Sequence, residues 1–423
     1  MSCADRIVWL RRDLRLHDHP ALTAGGPDAR VVVVREPAAN GFQRALVDAA
    51  LDEVRAHRTV EVFDGDPREV IPGLNPAKVW VSADFTPSGL ARDRAVSDAL
   101  GPGVMEAAGS AYAVDPGILR TGQGGHYKVF TPFHRAWCDY GADDPVGGLP
   151  GEDGLPVTRA WRDWCGFLRE RLDGYAENRD IPAIDGTSRI SGWLAVGALH
   201  PRSLLATLAV ADAPEDDKEA FARELAFREF YADFLHHRPE TAHSDVNPRF
   251  AGFRWNESGS EFDLWARGRT GFPIVDAGMR QLAATGWMHN RVRMLVASFL
   301  TKDLHLPWQA GAEHFRRHLV DFDVASNQHS WQWCAGTGTD ASPYFRVFNP
   351  MTQGKKFDPD ARYITRWVPE LRGVPAGDIH AIRNLPSEYP VPIVDHAEER
   401  RDALARYEEI KGVSRDFKVR HGR

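Results

Sequence analysis

The chain has 423 residues, of which 43 % are hydrophobic, and its formal net charge is −7 at pH 7. A chain of this length usually divides its core between domains, so we expect two. The acidic balance argues against a protein that coats duplex DNA, which would be basic, but it allows one local basic site. The four cysteines form no CxxC pair and no metal-ligand spacing, so we expect reduced thiols, a cytoplasmic location and no bound metal.

Strand and helix patterns alternate in the first third of the sequence. The apolar spacing of residues 42–57 predicts an amphipathic helix. Strands separated by segments of helix length are joined by crossover connections, which favours a doubly wound parallel sheet of the Rossmann-like α/β class. No GxGxxG follows the first strand, which argues against a dinucleotide site there. Short apolar runs predict the strands at 6–10, 30–34, 60–63 and 78–82.

The composition changes near residue 129. Residues 141–156, GADDPVGGLPGEDGLP, are rich in glycine, proline and aspartate and are typical of a linker. Helical periodicity dominates from about residue 159, and no segment approaches the roughly twenty apolar residues of a membrane span. We predict helices at 161–172, 200–210, 218–235, 272–287 and 290–304. The predicted organisation is an α/β domain over 1–128, a linker over 129–158 and an all-helical domain over 159–423.

The segment GTSRIS at 186–191 opens a helical pattern. Thr187, Ser188 and Ser191 are residue types that cap helix N-termini, and a capped helix is the simpler interpretation. The alternative is an anion site, because hydroxyl groups and free backbone N–H groups at a helix start suit a phosphate, and Arg189 adds positive charge. The sequence leaves both interpretations open.

A second pattern mixes charges and aromatic rings on one helix face. Glu224, Phe227, Arg228 and Tyr231 recur at i, i+3, i+4 and i+7. Such a stripe suits a pocket for a flat polar ligand, and an ion pair beside core aromatics explains it equally well.

A third pattern lies within residues 285–300. Asn290, Arg293 and Met294 share a helix face, while Arg291 is turned about 100° away. This face suits a base edge and a phosphate, or it is a solvated basic turn.

Residues 321–333 read DFDVASNQHSWQW and concentrate polar groups beside two tryptophans. Asp321 and Asp323 can accept hydrogen bonds from a sugar hydroxyl or a ring N–H, and Asn327 can both donate and accept. The sequence contains no GxSxG, Walker or HExxH motif. Residues that can grip a ligand, without hydrolytic machinery, indicate a cofactor that supplies the chemistry.

Several longer motifs carry a resemblance: WLRRDLRLHDHPAL near the start, YKVFTPFHRAW at 127–137, ELAFREFY, TGWMHNRVRM and SNQHSWQW. Together they resemble the photolyase/cryptochrome flavoproteins over nearly the whole chain, and they are most similar to the bacterial class I enzymes that repair cyclobutane pyrimidine dimers. The resemblance implies FAD in the helical domain. It also implies a mechanism in which blue light excites FADH⁻, one electron passes to the dimer, the ring splits and the electron returns.

The resemblance assigns roles to individual residues. Asn327 is expected at flavin N5, and Glu224 beside the lesion. Electrons that reduce the flavin are expected to pass through Trp331, Trp308 and Trp255, with Trp331 nearest the cofactor. The expected FAD contacts are Tyr175, Thr187, Ser188, Arg189, Ile190, Ser191, Asp321, Phe322, Asp323 and Asn327. The expected DNA contacts are Arg179, Glu224, Phe227, Tyr231, Asn290, Arg291, Met294, Trp333 and Gln353, with Phe227 where repair enzymes of the family commonly carry Trp.

The resemblance also bears on the antenna pigment and on the alternatives. Ser88 and Gly89 stand where folate-binding members carry Asn-Glu, so a deazaflavin antenna is favoured over a folate one. Asn290 stands where (6-4) repair enzymes usually carry His, which favours cyclobutane dimers. The chain ends soon after the last helical segment, which favours the enzyme over a cryptochrome-type photoreceptor. A passive single-strand binder would explain neither the Asp-x-Asp pair nor Asn327. We expect a monomer that binds UV-damaged DNA.

Overall fold

The computed structural model describes residues 6–35, 40–152, 154–339 and 346–420. The protein packs as two compact units. The first comprises Met1–Ala176, Thr187–Pro239 and Val320–Ala325, and the second comprises Glu177–Gly186, Glu240–Leu319 and Ser326–Arg423. The units are defined by packing and the predicted domains by type of secondary structure, so the predicted boundaries stay a prediction.

A five-stranded parallel sheet opens the first unit, in the order β3-β2-β1-β4-β5. The chain runs outward from β1 to β3 and then returns to place β4 beside β1, which confirms the predicted doubly wound sheet. The register pairs Val8 of β1 with Val31 of β2 and with Trp80 of β4. The elements are β1 (Arg6–Leu10), α1 (Pro20–Gly25), β2 (Arg30–Arg35), α2 (Gly41–Arg55), β3 (Val60–Asp64), α3 (Pro67–Gly73), β4 (Lys78–Val81), α4 (Pro87–Leu100) and β5 (Met105–Ala107).

The central strands are apolar because both faces of the sheet are covered. Val8 and Val31 belong to a core on one face, whereas Ile7 and Val32 belong to a core on the other. Successive side chains point to opposite faces, so a strand buried on both sides shows a continuous apolar run. The sequence analysis missed β5, which is a three-residue edge strand with partly exposed side chains and no such run.

The described residues beyond β5 contain helices and no strand, as the sequence predicted. Helix α5 contradicts a prediction, because it lies inside the predicted linker 129–158, where its apolar side chains Phe130, Phe133 and Trp137 pack in a core cluster. The described residues between 141 and 158 form neither helix nor strand. Within the described part of the chain, no helix is both long and apolar enough to span a membrane.

The remaining helices confirm the five predicted helical segments as α6, α9, α10, α12 and α13. In chain order they are α5 (Phe130–Tyr140), α6 (Arg159–Glu170), α7 (Tyr175–Asn178), α8 (Ser191–Ala195), α9 (Pro201–Ala209), α10 (Glu215–His237), α11 (Ser260–Ala266), α12 (Pro273–Thr285), α13 (Asn290–Lys302), α14 (Trp308–Arg316), α15 (Val324–Ala335), α16 (Pro350–Phe357), α17 (Arg362–Trp367), α18 (Ala376–Ala381) and α19 (His396–Arg420).

Candidate functional site

The segment GTSRIS does not cap a helix in the predicted way. Helix α8 begins at Ser191, is five residues long, and is preceded by Ile190, whose position carries no side-chain cap. Arg189 has a positive φ of 56°, which turns the chain away before the helix begins. The capped-helix interpretation is therefore wrong for Thr187 and Ser188. The exposed hydroxyl of Ser191 donates to Asp321 Oδ2 at 2.7 Å.

The predicted FAD contact Tyr175 lies in the core of the first unit. It is only 6 % exposed, and its ring lies 5.6 Å from that of Phe167 and 5.4 Å from that of Phe221. The packing fixes the position of the ring, and its contact with a phosphate stays a prediction.

Asp323 is held by an arginine that the sequence analysis did not single out. Arg12 donates from Nη2 to Asp323 Oδ2 at 2.7 Å and from Nε to the carbonyl of Ala195 at 3.2 Å. Burial works against the charged form of Arg12, but Asp323, Tyr112 and Asp84 together outweigh it, so the pKa of Arg12 lies above its ordinary value. Next to Asp323, the Phe322 carbonyl accepts from Gln43 Nε2 at 3.3 Å.

The first unit also contains a pocket at the carboxyl ends of β1 and β4. Its lining includes Arg12, Phe85 and Tyr112, and it is open to solvent. In a doubly wound sheet this is the point where strand order reverses and where ligands bind. The missing GxGxxG motif therefore argues against a dinucleotide site of the Rossmann type, but it does not exclude a ligand pocket at this position.

The mixed stripe on α10 is partly a core surface. The ring of Phe227 stacks on Phe130 with centroids 3.4 Å apart, and Tyr231 lies 5.6 Å from Phe230. Arg228 donates to the Ala111 carbonyl at 2.9 Å. The core-aromatic interpretation accounts for these contacts, while Phe227, Tyr231 and the half-buried Glu224 stay predictions as lesion contacts.

In the second unit, α13 begins at Asn290, which is exposed, and His289 caps it by accepting from the Arg291 backbone N–H at 3.1 Å. The Arg291 guanidinium lies 2.6 Å from Asp180 and 3.8 Å from the sulfur of Met294. Met294 therefore contacts Arg291. Arg293, expected beside Met294, turns back to the Met288 carbonyl at 2.7 Å.

Helix α16 adds to this surface. Arg291 lies 4.5 Å above the ring of Phe357. Gln353 is four residues earlier, on the same face of α16 as Phe357. The half-buried Arg179 adjoins Asp180 in the sequence, and Asp180 is the partner of Arg291. Arg291 and Met294 are thus in contact, while a shared surface with Gln353 and Arg179 stays a prediction.

Asn327, on α15, is 7 % exposed and has a fixed amide orientation. Its Nδ2 donates to the Ala312 carbonyl at 3.1 Å and to Gln328 Oε1 at 2.8 Å. A backbone carbonyl only accepts, so the nitrogen must face Ala312. Both amide hydrogens are thus used, and within the described ranges no group donates to the side-chain oxygen of Asn327.

Three tryptophans of the second unit differ in burial. Trp331 is 2 % exposed and packs edge-on against Phe315 at 5.0 Å and against Trp265 at 6.1 Å. Trp308 is fully buried, and its indole N–H donates to Asp245 at 2.8 Å. Trp255 is half-buried at the surface. Burial separates Trp255 from the other two tryptophans but does not rank Trp331 and Trp308, so their order in the electron route stays a prediction. Trp265 is a neighbour that the sequence analysis missed.

Trp333 follows Trp331 by two residues on α15 and is half-buried, whereas Trp331 is buried. Residues two apart on a helix point in different directions, about 200° apart. The two side chains therefore lie on different faces of α15, and their separate roles stay a prediction.

One cluster in the second unit has the composition of a metal site. His305, Glu399 and Asp402 place one ligand atom each within 4.8 Å of one another. His305 Nε2 lies 2.7 Å from Glu399, and Arg406 lies 2.8 Å from Asp402, so these groups neutralise one another as a tether for α19. Metal-bound histidines usually donate their second ring N–H to a partner, but the buried Nδ1 of His305 has none among the described residues.

Comparison with known proteins agrees with this geometry. The sequence model described as DNA photolyase matches residues 6–146, and that described as the FAD binding domain of DNA photolyase matches residues 221–409. A curated deoxyribodipyrimidine photo-lyase of Vibrio cholerae is 37 % identical and covers 96 % of this chain and 100 % of its own length.

Solved structures give the same result. A bacterial class III photolyase from Agrobacterium tumefaciens has a TM-score of 0.87 and 34 % identity, with 97 % of this chain and 98 % of that one covered. A Synechocystis cryptochrome has a TM-score of 0.84 and 26 % identity, with coverage of 95 % and 98 %. The match to both family models and to full-length relatives above 30 % identity confirms the predicted family: the chain belongs to the DNA photolyase family and contains its FAD-binding domain.

Proposed function

We propose that this protein is a light-dependent DNA repair enzyme that splits cyclobutane pyrimidine dimers in UV-damaged DNA, a deoxyribodipyrimidine photo-lyase. The full-length relatives that bear this name support the proposal. The smaller identity to the cryptochrome, 26 % against 34 % for the photolyase, makes a photoreceptor the less favoured alternative. When bound, reduced FAD supplies light-driven one-electron chemistry.

The orientation of Asn327 carries the proposal. Its two amide hydrogens are held by Ala312 and Gln328, so it offers a ligand its oxygen alone. An oxygen acceptor stabilises an N–H donor and gives nothing to an unprotonated ring nitrogen. At flavin N5 this side chain therefore favours the protonated, reduced cofactor that dimer splitting requires. The polar side chains that we propose around the cofactor are Tyr175, Thr187, Ser188, Arg189, Ser191, Asp321 and Asp323, beside the backbone of Ile190 and Phe322.

The tryptophans have a different task. Trp331, Trp308 and Trp255 relay electrons towards the cofactor, so that it can be reduced, and they do not touch the lesion. Burial of Trp331 and Trp308 keeps water from the inner part of this route, and the half-buried Trp255 meets solvent. No general base is needed, which agrees with the absence of hydrolytic motifs.

The lesion must leave the duplex, and photolyases are among the enzymes that take the target base out of the stack. We propose that Arg291, Met294 and Gln353 contact the flipped lesion and its strand together with Arg179 and Asn290. The α15 residue Trp333 and the α10 residues Glu224, Phe227 and Tyr231 complete the proposed set. Arg291 offers a guanidinium for a phosphate, while Met294 offers an adaptable apolar surface for the splayed bases. A local grip of this kind is compatible with a net charge of −7.

The pocket at β1 and β4 is the proposed antenna site, and a deazaflavin-type pigment suits it better than a folate. The rings of Phe85 and Tyr112 offer stacking surfaces, and Arg12 offers N–H donors for a ring oxygen. We also propose a cytoplasmic monomer. The free thiols of Cys138, Cys165 and Cys334 suit that compartment.

The test is direct. Reduced, FAD-loaded protein is incubated with an oligonucleotide that contains a thymine dimer, in blue light and in the dark, and restored thymines are counted by chromatography. We expect repair in light only. A matched oligonucleotide with a (6-4) photoproduct should remain unrepaired. Absence of light-dependent repair with reduced FAD bound would refute the proposal, and repair of the (6-4) product alone would replace the substrate.

A further inference from the structure

Within the first unit, the Arg12 side chain both lines a pocket and forms an ion pair. Its side chain lines the pocket at the carboxyl ends of β1 and β4. The same guanidinium forms the 2.7 Å ion pair with Asp323, although the two residues are 311 positions apart in the chain. Asp323 is 8 % exposed, so the pair ties a buried carboxylate of the proposed FAD site to the wall of the pocket.

The hydrogen-bond inventory of Arg12 leaves donors for a ligand. A guanidinium carries five N–H donors, and Arg12 uses Nε for the Ala195 carbonyl and Nη2 for Asp323. Its Nη1 has no partner in the described part of the chain. The neighbouring Arg11 differs, because its Nη1 donates to Asp93 and its Nη2 donates to the Ser82 carbonyl. Both Nη atoms of Arg11 are therefore engaged, whereas Arg12 keeps one Nη atom for a ligand.

We infer that Arg12 is a positioning residue that couples the pocket to the cofactor: a pocket ligand with a carbonyl or anionic ring oxygen accepts from Arg12 and thereby secures Asp323 for FAD. The inference rests on the proposed function, because it takes Asp323 as a FAD contact. It adds that the two sites are linked through one guanidinium and that the affinities for their ligands depend on each other.

The physical cause of the coupling is the ordering of one side chain. The Arg12 side chain is 35 % exposed, so it retains freedom that must be given up when Asp323 is fixed against FAD. A ligand that accepts from Nη1 restricts the same rotamers. The second ligand then meets an arginine that is already ordered, which produces positive cooperativity without a change of fold. Thermodynamic linkage makes the effect reciprocal, so bound FAD increases the affinity for the pocket ligand by the same factor.

The experiment uses the purified FAD-loaded protein and 8-hydroxy-5-deazariboflavin as the pocket probe. Release of FAD after dilution is followed by ultrafiltration and chromatography, without and with saturating probe. We expect the probe to slow FAD release by about fivefold, at the lower end of ordinary coupling between sites. An equal rate with and without bound probe, or failure of the probe to bind, would overturn the inference.

Two variants test the role of Arg12. Arg12→Gln removes the charge and should abolish the slowing. Arg12→Lys keeps a charge and the fold but offers a single point donor in place of the planar fork, so it should also lose the coupling. Retention of the fivefold slowing in either folded variant would refute the assignment.

One control tests the FAD end of the link. Gln43→Ala removes a contact to the Phe322 carbonyl outside the pocket. It should change the rate of FAD release without probe, but the ratio of the release rates without and with probe should stay the same. Dimer repair is measured separately. Slower FAD release with probe but no light-dependent repair would refute the proposed function and not this inference. Light-dependent repair without slower FAD release would refute this inference and not the proposed function.

Discussion

Gly311 on α14 lies directly against the ring of Trp331, and its replacement tests whether the position of that ring matters. A Cβ atom at residue 311 would lie 2.1 Å from Trp331 Cη2 and 2.6 Å from Leu300 Cδ2. Carbon atoms pack at about 3.5–4.0 Å, so Gly311→Ala must push the ring away by about 1.5 Å. Overpacking of a core costs about 1–3 kcal/mol, of which the better helix propensity of alanine returns about 0.5–1 kcal/mol.

We therefore expect Gly311→Ala to lower the free energy of unfolding by up to about 2.5 kcal/mol and to slow reduction of the flavin in blue light. The free energy is measured by urea unfolding and the reduction by absorbance in the presence of an external reductant. The chemically pre-reduced variant should still repair dimers, because the proposed role of Trp331 is electron transfer to the flavin and not contact with the lesion.

Gly166→Ala on α6 is the matched control. A Cβ there meets open space, so stability should stay level or rise by up to about 1 kcal/mol. If Gly311→Ala unfolds and photoreduces like the original protein, the close approach of Gly311 to Trp331 is not a constraint, and the reasoning fails.

Three further predictions concern single side chains. Trp331→Phe should slow photoreduction of the flavin and leave repair by pre-reduced protein largely intact; equal loss of both activities in kinetic assays would contradict a separate electron route. Asn327→Ala should lower the flavin potential by about 10–30 mV in a redox titration, because one hydrogen bond to the protonated N5 is worth about 0.5–1.5 kcal/mol; an unchanged potential would remove Asn327 from N5. His17 is buried, and burial together with Arg15 lowers its pKa to about 4 from 6.5, so the unfolded chain binds more protons between these values and stability falls as pH drops through them. His17→Phe should remove about 2 kcal/mol of the loss between pH 7 and pH 5, and identical urea midpoint shifts in both proteins would count against this.

Elements with a repeated burial pattern were predictable. Strands β1 and β2 show continuous apolar runs because the sheet is covered on both faces, and α6 buries Trp161, Trp164 and Phe167 at helical spacing. Strand β5 was not predictable, since three partly exposed edge residues leave no periodic signal. Helix α5 could have been found, because Phe130, Phe133 and Trp137 recur at helical spacing, but the linker-like residues after it dominated the interpretation.

Local backbone turns also limit what can be predicted from the sequence. Thr187 and Ser188 have the composition of a helix cap, but Arg189 adopts a positive φ and separates them from α8. Arginine has no particular preference for this conformation, so nothing in the residue type announces it. The helix-cap interpretation of Thr187 and Ser188 could therefore be rejected only from the structure, which shows the turn at Arg189.

Contacts between segments distant in the sequence are also not predictable from it, and they determine which hydrogen-bonding groups remain available for a ligand. The residue type of Asn327 allows it to donate or to accept, so from sequence it suits either protonation state of a ring nitrogen. The Ala312 carbonyl on another helix uses the nitrogen end and leaves the oxygen. Likewise, nothing near Asp323 in the sequence indicates that Arg12, 311 residues away, neutralises it. The side chains available for ligand binding can thus be read from the chain, whereas the donors and acceptors that remain after folding depend on partners from other elements. For Asn327 that remainder is one acceptor, and at flavin N5, its proposed position, one acceptor favours the protonated, reduced cofactor over the oxidised one.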